Sequence, residues 1–228
     1  MKMKLVSKLY YYIRAIPKTL LFNFYYLPFS QAIKLPIIVC HKTKFESLSG
    51  KVALINEPSF ARVRLGFGKI QTIDSTRARF IWNLSKSGQV SFSKNVKIGV
   101  GSKLHVDGHL FFGSYCNFTG DVTIICKDRI HFEGHNLISW QSLFMDTDFH
   151  PIIDNSTSLQ VNKDKPIYIA KQAWFGTRTT VLKGTRVNTN TIVAAGAVLT
   201  GKEYQGSSYL GGNPAKVIGD MNGKHFVD

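Results

Sequence analysis

Between Phe144 and Asp154 the chain reads FMDTDFHPIID, three carboxylates and one histidine among apolar residues, with a proline directly after the histidine. An imidazole of ordinary pKa, about 6.5, is mostly neutral near pH 7 and can take a proton from a hydroxyl as that hydroxyl attacks. Asp146, Asp148 and His150 alternate, so an extended segment would project all three to one face. A carboxylate there can fix the imidazole tautomer and stabilise the imidazolium, and Asp148 is the favoured partner. Either aspartate can instead bind substrate hydroxyls or solvate a loop. Residue type alone leaves His150 three roles: metal ligand, buried structural imidazole or general base.

Metal binding is weighed first, because His105 with His109 and His131 with His135 are each four apart. On a helix that spacing converges two ligands, but these stretches read as strand corners, and no metal site is expected. Cys40, Cys116 and Cys126 are odd in number and widely spaced, which suggests neither a disulfide framework nor a zinc site and fits a reducing compartment. Cys126 is a poor candidate nucleophile, since no histidine is fixed beside it in sequence.

The elements that must position His150 are legible as a repeat. From Ile167 onward Ile169, Phe175, Val181, Val187, Val193 and Leu199 stand six apart, with mostly small residues two places before each. Neither an α-helix nor a simple alternating strand has that period, whereas a short strand followed by a bend does. Phe92, Ile98 and Leu104, then Phe112, Phe118 and Ile124, then Phe132, Ile138 and Phe144 carry the same step. The longer step from Ile124 to Phe132 predicts a widened corner near Lys127 to Arg129. Three such units per coil, roughly 18 residues in all, would wind a solenoid whose coils bury one another, starting between Val52 and Ile73. After Phe144 the chain should leave the coil, carry Asp146, Asp148 and His150 outward, and rejoin at Ile167.

The 228 residues suit one domain with an appendage. Lys and Arg outnumber Asp and Glu 29 to 14, so phosphates, anionic lipid or acidic polymers are the attracted classes. Residues 1–50 hold eight Lys/Arg against the single acid Glu46 and are crowded with Tyr, Phe and Leu. Leu5, Leu9, Tyr12, Ile13 and Ile16 recur at helical spacing while Lys4, Lys8 and Arg14 fall elsewhere, which predicts an amphipathic helix ending near Pro17. Such a helix either packs on the main domain or lies on an anionic membrane surface, the latter through residues 1–45. Lys8 and Arg14 interrupt any signal-peptide core, and no apolar run is long enough to span a bilayer. The expected organisation is a helical, aromatic extension over 1–50, a solenoid over 51–216 with a loop at 145–166, and a tail over 217–228.

Three ordered motifs, KPIYIAKQAWFG (165–176), IVAAGAVLT (192–200) and GGNPAKVI (211–218), resemble those of the hexapeptide-repeat acyltransferases, in particular sugar and polysaccharide O-acetyltransferases. The resemblance covers about residues 90–220. It implies a left-handed parallel β-helix assembled as a homotrimer, with acetyl-CoA bound between subunits and a sugar hydroxyl of a surface glycan as acceptor. It implies His150 as catalytic base, Asn117 as the asparagine that orients acceptor or acetyl group beside it, and Trp174 as the tryptophan lining the CoA or acceptor channel. Asp146 becomes a candidate for the sugar hydroxyls. Carried over to the donor are Gly176, Thr177, Ala195, Gly196, Thr200 and the basic Lys216. The chain departs from the pattern at Ala170, Leu182, Asn188 and Ala194, and its lysine follows Thr200 one place late, at Lys202, so no CoA contact is carried to Lys202. The implied place of work is the bacterial cytoplasm, at the inner membrane face if the N-terminal region binds lipid, with no nucleic-acid partner. Two other readings share these residues: transfer to a small acceptor such as an antibiotic, serine or an amino sugar, and a non-catalytic solenoid that binds glycan or membrane.

Overall fold

The computed structural model describes residues 2–74 and 76–227, with side chains from residue 9 onward. The period-six segments form short parallel strands on the three faces of a prism. Face 1 stacks Lys51–Leu54, Gln89–Phe92, the first halves of the long bent strands His109–Gly120 and Arg129–Ile138, then Ile167–Ile169, Arg186–Val187 and Glu203–Tyr204. Face 2 stacks Ile37–Val39, Val63–Leu65, Val96–Val100, the second halves of the two bent strands, then Ala173–Phe175, Thr191–Val193 and Ser208–Gly211. Face 3 runs from Lys44–Leu48 through Ile81–Leu84, Lys103–Val106, Thr123–Cys126, Leu143–Met145 and Thr180–Leu182 to Val198–Leu199. This is the solenoid the repeat predicts, in the left-handed parallel β-helical form that the resemblance implies.

The inward residues are those of the six-residue series, and they pack on their counterparts one coil away. Phe92, Phe112 and Phe132 stack nearly parallel at 5.3 and 5.6 Å, and Phe118 meets Phe112 and Phe132 edge-on. Phe144 and Phe175 continue the column, and Val181, Val187, Val193 and Leu199 finish it in aliphatic residues. Coil length varies with position. Lys103 pairs with Thr123, a step of 20, whereas Thr180 pairs with Val198, a step of 18. The two extra residues fall between faces 3 and 1, at the widened corner expected around Lys127.

The sheets begin at Ile37, ahead of the boundary expected near residue 51, and the last strand, Lys216–Asp220, runs antiparallel to Ser208–Gly211 across the expected boundary at 216/217. The N-terminal helix α1 (Lys2–Tyr26) passes through Pro17 and does not stop there. A proline inside a helix costs about 3 kcal/mol or more. What offsets it is the edge that α1 covers. Thr19 Oγ accepts from the Val39 N–H at 3.0 Å, and Asn23 both accepts from the Ile37 N–H and donates to the Ile37 carbonyl. The open strand Ile37–Val39 thereby has its backbone groups satisfied, and Phe22 packs edge-on against Trp82. The other side of α1 stays exposed at Leu9, Tyr12, Ile13 and Ile16. The side chains of Lys4, Leu5 and Lys8 lie outside the described residues. Among the described residues no helix is long and apolar enough to cross a membrane.

Candidate active site

The coil between Ile130 and Ile167 has a register step of 37, because the chain leaves face 3 after Met145 and rejoins face 1 at Ile167. His150 therefore stands in an excursion at the corner between faces 3 and 1, and it is exposed. The three acidic and imidazole side chains do not share a face. Asp146 is fully buried, and its carboxylate accepts from the backbone N–H of Lys127 at 2.7 Å and of Asp128 at 2.9 Å. One coil earlier the equivalent N–H groups, of Asp107 and Gly108, bond to the carbonyl of Cys126. At the Lys127 corner the next coil has departed, so a side-chain carboxylate takes the place of the missing carbonyl. Burial pushes the Asp146 carboxyl above the usual carboxylate range, while those two N–H groups pull it back.

Asp148 faces a different partner from the one expected. Its carboxylate accepts from Lys183 Nζ and from Asn162 Nδ2, which hold it below the usual carboxylate range. No hydrogen bond joins it to the imidazole; its own carbonyl accepts the His150 N–H at 2.7 Å. Asn162 also donates to the His150 carbonyl at 2.8 Å, and Lys183 donates to the carbonyls of Asn162 and Lys163. Asp148, Asn162 and Lys183 thus pin the backbone of the excursion at its root and leave the imidazole facing outward. Phe149, with φ of +61°, sits 6.3 Å from the His105 ring and under the Lys127 ammonium, which fixes the residue before the histidine. Asn162 and Lys183 were missed in the sequence because their common partner lies across a loop, where no period connects them.

Most of the other expected residues fall on face 2 and its corner with face 3. Asn117 lies on face 2, two rungs below Trp174 through Leu137, or roughly 10 Å at the strand spacing of about 4.8 Å. Trp174 points outward, part-exposed, with its indole N–H 3.4 Å from Ser139 Oγ. Gly176 and Thr177 meet Ala195 and Gly196 at the next corner, where the Gly196 N–H donates to the Thr177 carbonyl at 2.9 Å. A Cβ on Gly176 would stand 2.6 Å from the Ala195 nitrogen, so glycine is what lets the coils close there. Gly196, at φ +73°, has open space beside it and presents bare backbone to solvent, as a donor lying along the coil edge would need. Thr200 lies past face 3, its N–H donating to Tyr204, and Lys216 is exposed on the terminal antiparallel strand.

Within one chain, then, Gly176, Thr177, Ala195 and Gly196 gather at one corner beside Trp174, and His150 stands at another. Three of the four paired histidines have structural surroundings, and the fourth, His109, is exposed. His105 bonds to Asn83, His131 is stacked between Phe111 and Tyr168, and His135 stacks on Tyr115. Among the described residues no three metal-ligating side chains come together. Burial pushes the Cys126 thiol well above its ordinary value and the Cys116 thiol up to about 12, which makes neither a ready nucleophile.

No family model matches the chain. In sequence it is 27% identical over 118 residues to a galactoside O-acetyltransferase of Lactococcus lactis, covering 52% of this chain and 55% of that protein. It is 24% identical over 155 residues to a putative lipopolysaccharide biosynthesis O-acetyl transferase, WbbJ, of Escherichia coli, covering 63% of this chain and 78% of the relative. The chain thus spans only about half the length of the galactoside enzyme. Among solved structures, the polySia-specific acetyltransferase NeuO superposes with a TM-score of 0.56 at 18% identity, over 83% of this chain and 74% of its own. The polysialic acid O-acetyltransferase OatWY gives 0.55 at 19% identity, over 80% and 85%. At these identities the structural likeness establishes the fold.

Proposed function

We propose, from this kinship with hexapeptide-repeat O-acetyltransferases, that the protein transfers an acetyl group from acetyl-CoA to a sugar hydroxyl of a surface glycan or its precursor. The observation that carries the reading is His150: exposed, with no hydrogen bond from its ring to any described residue, on an excursion whose backbone is pinned by Asp148, Asn162 and Lys183. A general base needs a held position and a free nitrogen; the pinned backbone supports the first and the uncommitted ring the second. In the reaction His150 takes the acceptor's hydroxyl proton, the oxygen attacks the thioester carbonyl, the C–S bond breaks, and the thiol sulfur receives the proton back. The acetyl group moves directly between the two bound substrates.

The glycine-lined corner of Gly176 and Gly196 fits the pantetheine arm, with Thr177 and Ala195 beside it and Lys216 and Thr200 as further contacts. Because this corner and His150 stand on different corners of one prism, the working site is assigned to the interface between subunits of a trimer. Asn117 and Trp174 would then orient the acceptor from face 2. The substitution His150→Ala tests the assignment. Thiol release from acetyl-CoA with a panel of bacterial glycans should vanish while CoA binding persists; unchanged turnover would remove His150 from the mechanism.

A peripheral membrane contact belongs to the same reading, because Leu9, Ile13, Ile16, Leu20 and Phe24 form an exposed apolar stripe on α1 in a strongly basic segment. Flotation with vesicles containing anionic phosphatidylglycerol should carry the full chain and not a variant with Ile13, Ile16 and Leu20 changed to serine. Equal partitioning of the two would refute the contact.

A further inference from the structure

Outward positions on the lower part of face 2 set two like charges side by side. Arg64 pairs directly across from Lys97, and Lys97 from Asn117. Like charges directly opposite each other on a sheet destabilise it, and a neighbouring acid would relieve the repulsion. Among the described residues no acid lines either of the two hollows these side chains border, and Arg64, Lys97 and the nearby Lys69 form no ion pair. The three cations border a cleft of about 570 Å³ between face 2 and α1, whose far wall is aromatic: Tyr12 is stacked on Phe67 at 5.3 Å, with Tyr11 beside it. Arg64 and Lys97 also border a second hollow of about 280 Å³ that reaches Asn117. The two hollows therefore form one path, from the helix up the face toward the residue two rungs below Trp174.

The geometry points to this path as a binding site for an anionic glycan, resting on the proposed acetyl transfer only for the role of that glycan as acceptor. A guanidinium takes a carboxylate or phosphate through two parallel hydrogen bonds, an ammonium meets it as a point charge, and flat rings receive the apolar faces of sugars. A neutral sugar chain would leave the opposed cations uncompensated. The negative charge can come from acidic sugars in the chain or from a diphosphate at its end. Both present the same oxygen acceptors to Arg64 and Lys97.

The test measures binding without catalysis, by fluorescence anisotropy on the full-length protein. The probes are a labelled sialic acid oligomer, neutral dextran of equal length, and geranyl diphosphate as competitor. The double variant Arg64→Ser with Lys97→Ser is compared with Lys51→Ser with Lys86→Ser, which removes the same charge from exposed positions outside the cleft. The expected result is binding of the acidic oligomer but not dextran, weakened at least about tenfold by the first pair and little by the second. Displacement by geranyl diphosphate assigns the shared anion site to phosphate as well; failure to displace assigns it to sugar carboxylates. Equal weakening by both pairs, or equal binding of dextran, would overturn the site. Melting curves of both double variants exclude misfolding, since all four side chains point away from the core. If the acidic oligomer binds as described but no acceptor is acetylated, the transferase reading fails and the cleft stands.

Discussion

Replacing Asp146 by alanine separates a structural carboxylate from a sugar-binding one. The substitution removes the acceptor of two backbone N–H groups, those of Lys127 and Asp128, at a corner where no carbonyl of the next coil is available. A fully buried N–H left unsatisfied costs about 1–3 kcal/mol, and these two, at a part-buried corner, fall at the lower end of that range. Relief of the cost of burying the carboxylate, the same burial that raises its pKa, returns part of this, so a net loss of about 1–3 kcal/mol follows. For a chain of this size that corresponds to a melting midpoint lower by about 2–12 °C. The assay pairs a thermal melt, at fixed protein concentration, with steady-state acetylation over a range of acceptor concentrations. The corner role predicts a fall of that size in the midpoint and a KM for acceptor changed by less than about twofold at a temperature where the variant is folded. An unchanged midpoint with a KM raised tenfold or more would refute the argument and return Asp146 to the acceptor site.

Two further outcomes follow from the same geometry. His131 is stacked between Phe111 and Tyr168, and burial lowers its pKa, so the unfolded chain takes up a proton more readily than the folded one. Its contribution to stability is complete above the unfolded value of about 6.5 and is lost as pH falls toward the lower folded value; His131→Gln should flatten the slope of melting temperature against pH in that window. Lys183→Ala releases Asp148 and two loop carbonyls, so proteolysis between residues 149 and 161 should quicken and acetyl transfer should fall about tenfold or more while CoA affinity is retained. Unaltered proteolysis would show that the lysine does not hold the loop.

The repeat was legible because every third of a coil must place one large apolar residue inward, and a periodic physical demand leaves a periodic trace. Phe144, Phe175 and Val181 were placed correctly from spacing alone, as was the widened corner, because an eight-residue step has nowhere else to go. The helix end was misread at Pro17 because local propensity was the only information there. Thr19 and Asn23 reach the edge strand Ile37–Val39, and that tertiary contact overrides the proline. Alternation likewise grouped Asp146 with Asp148 and His150, but the chain turns out of its strand between them and sends the first carboxylate inward.

FMDTDFHPIID, met in the sequence, thus carried the identity of the candidate base and the fact of an excursion, since both follow from residue type and from a break in period. Which aspartate serves which partner was decided by structure alone. Asp146 answers a corner 18 residues behind it, and Asp148 answers Lys183, 35 residues ahead. Hydrogen-bond partners at such separations are set by how coils stack, and stacking leaves no local signature on a single polar residue. The same holds for the cations of face 2. Arg64 and Lys97 are 33 residues apart and unremarkable in the chain, and only the pairing of their strands sets them opposite each other.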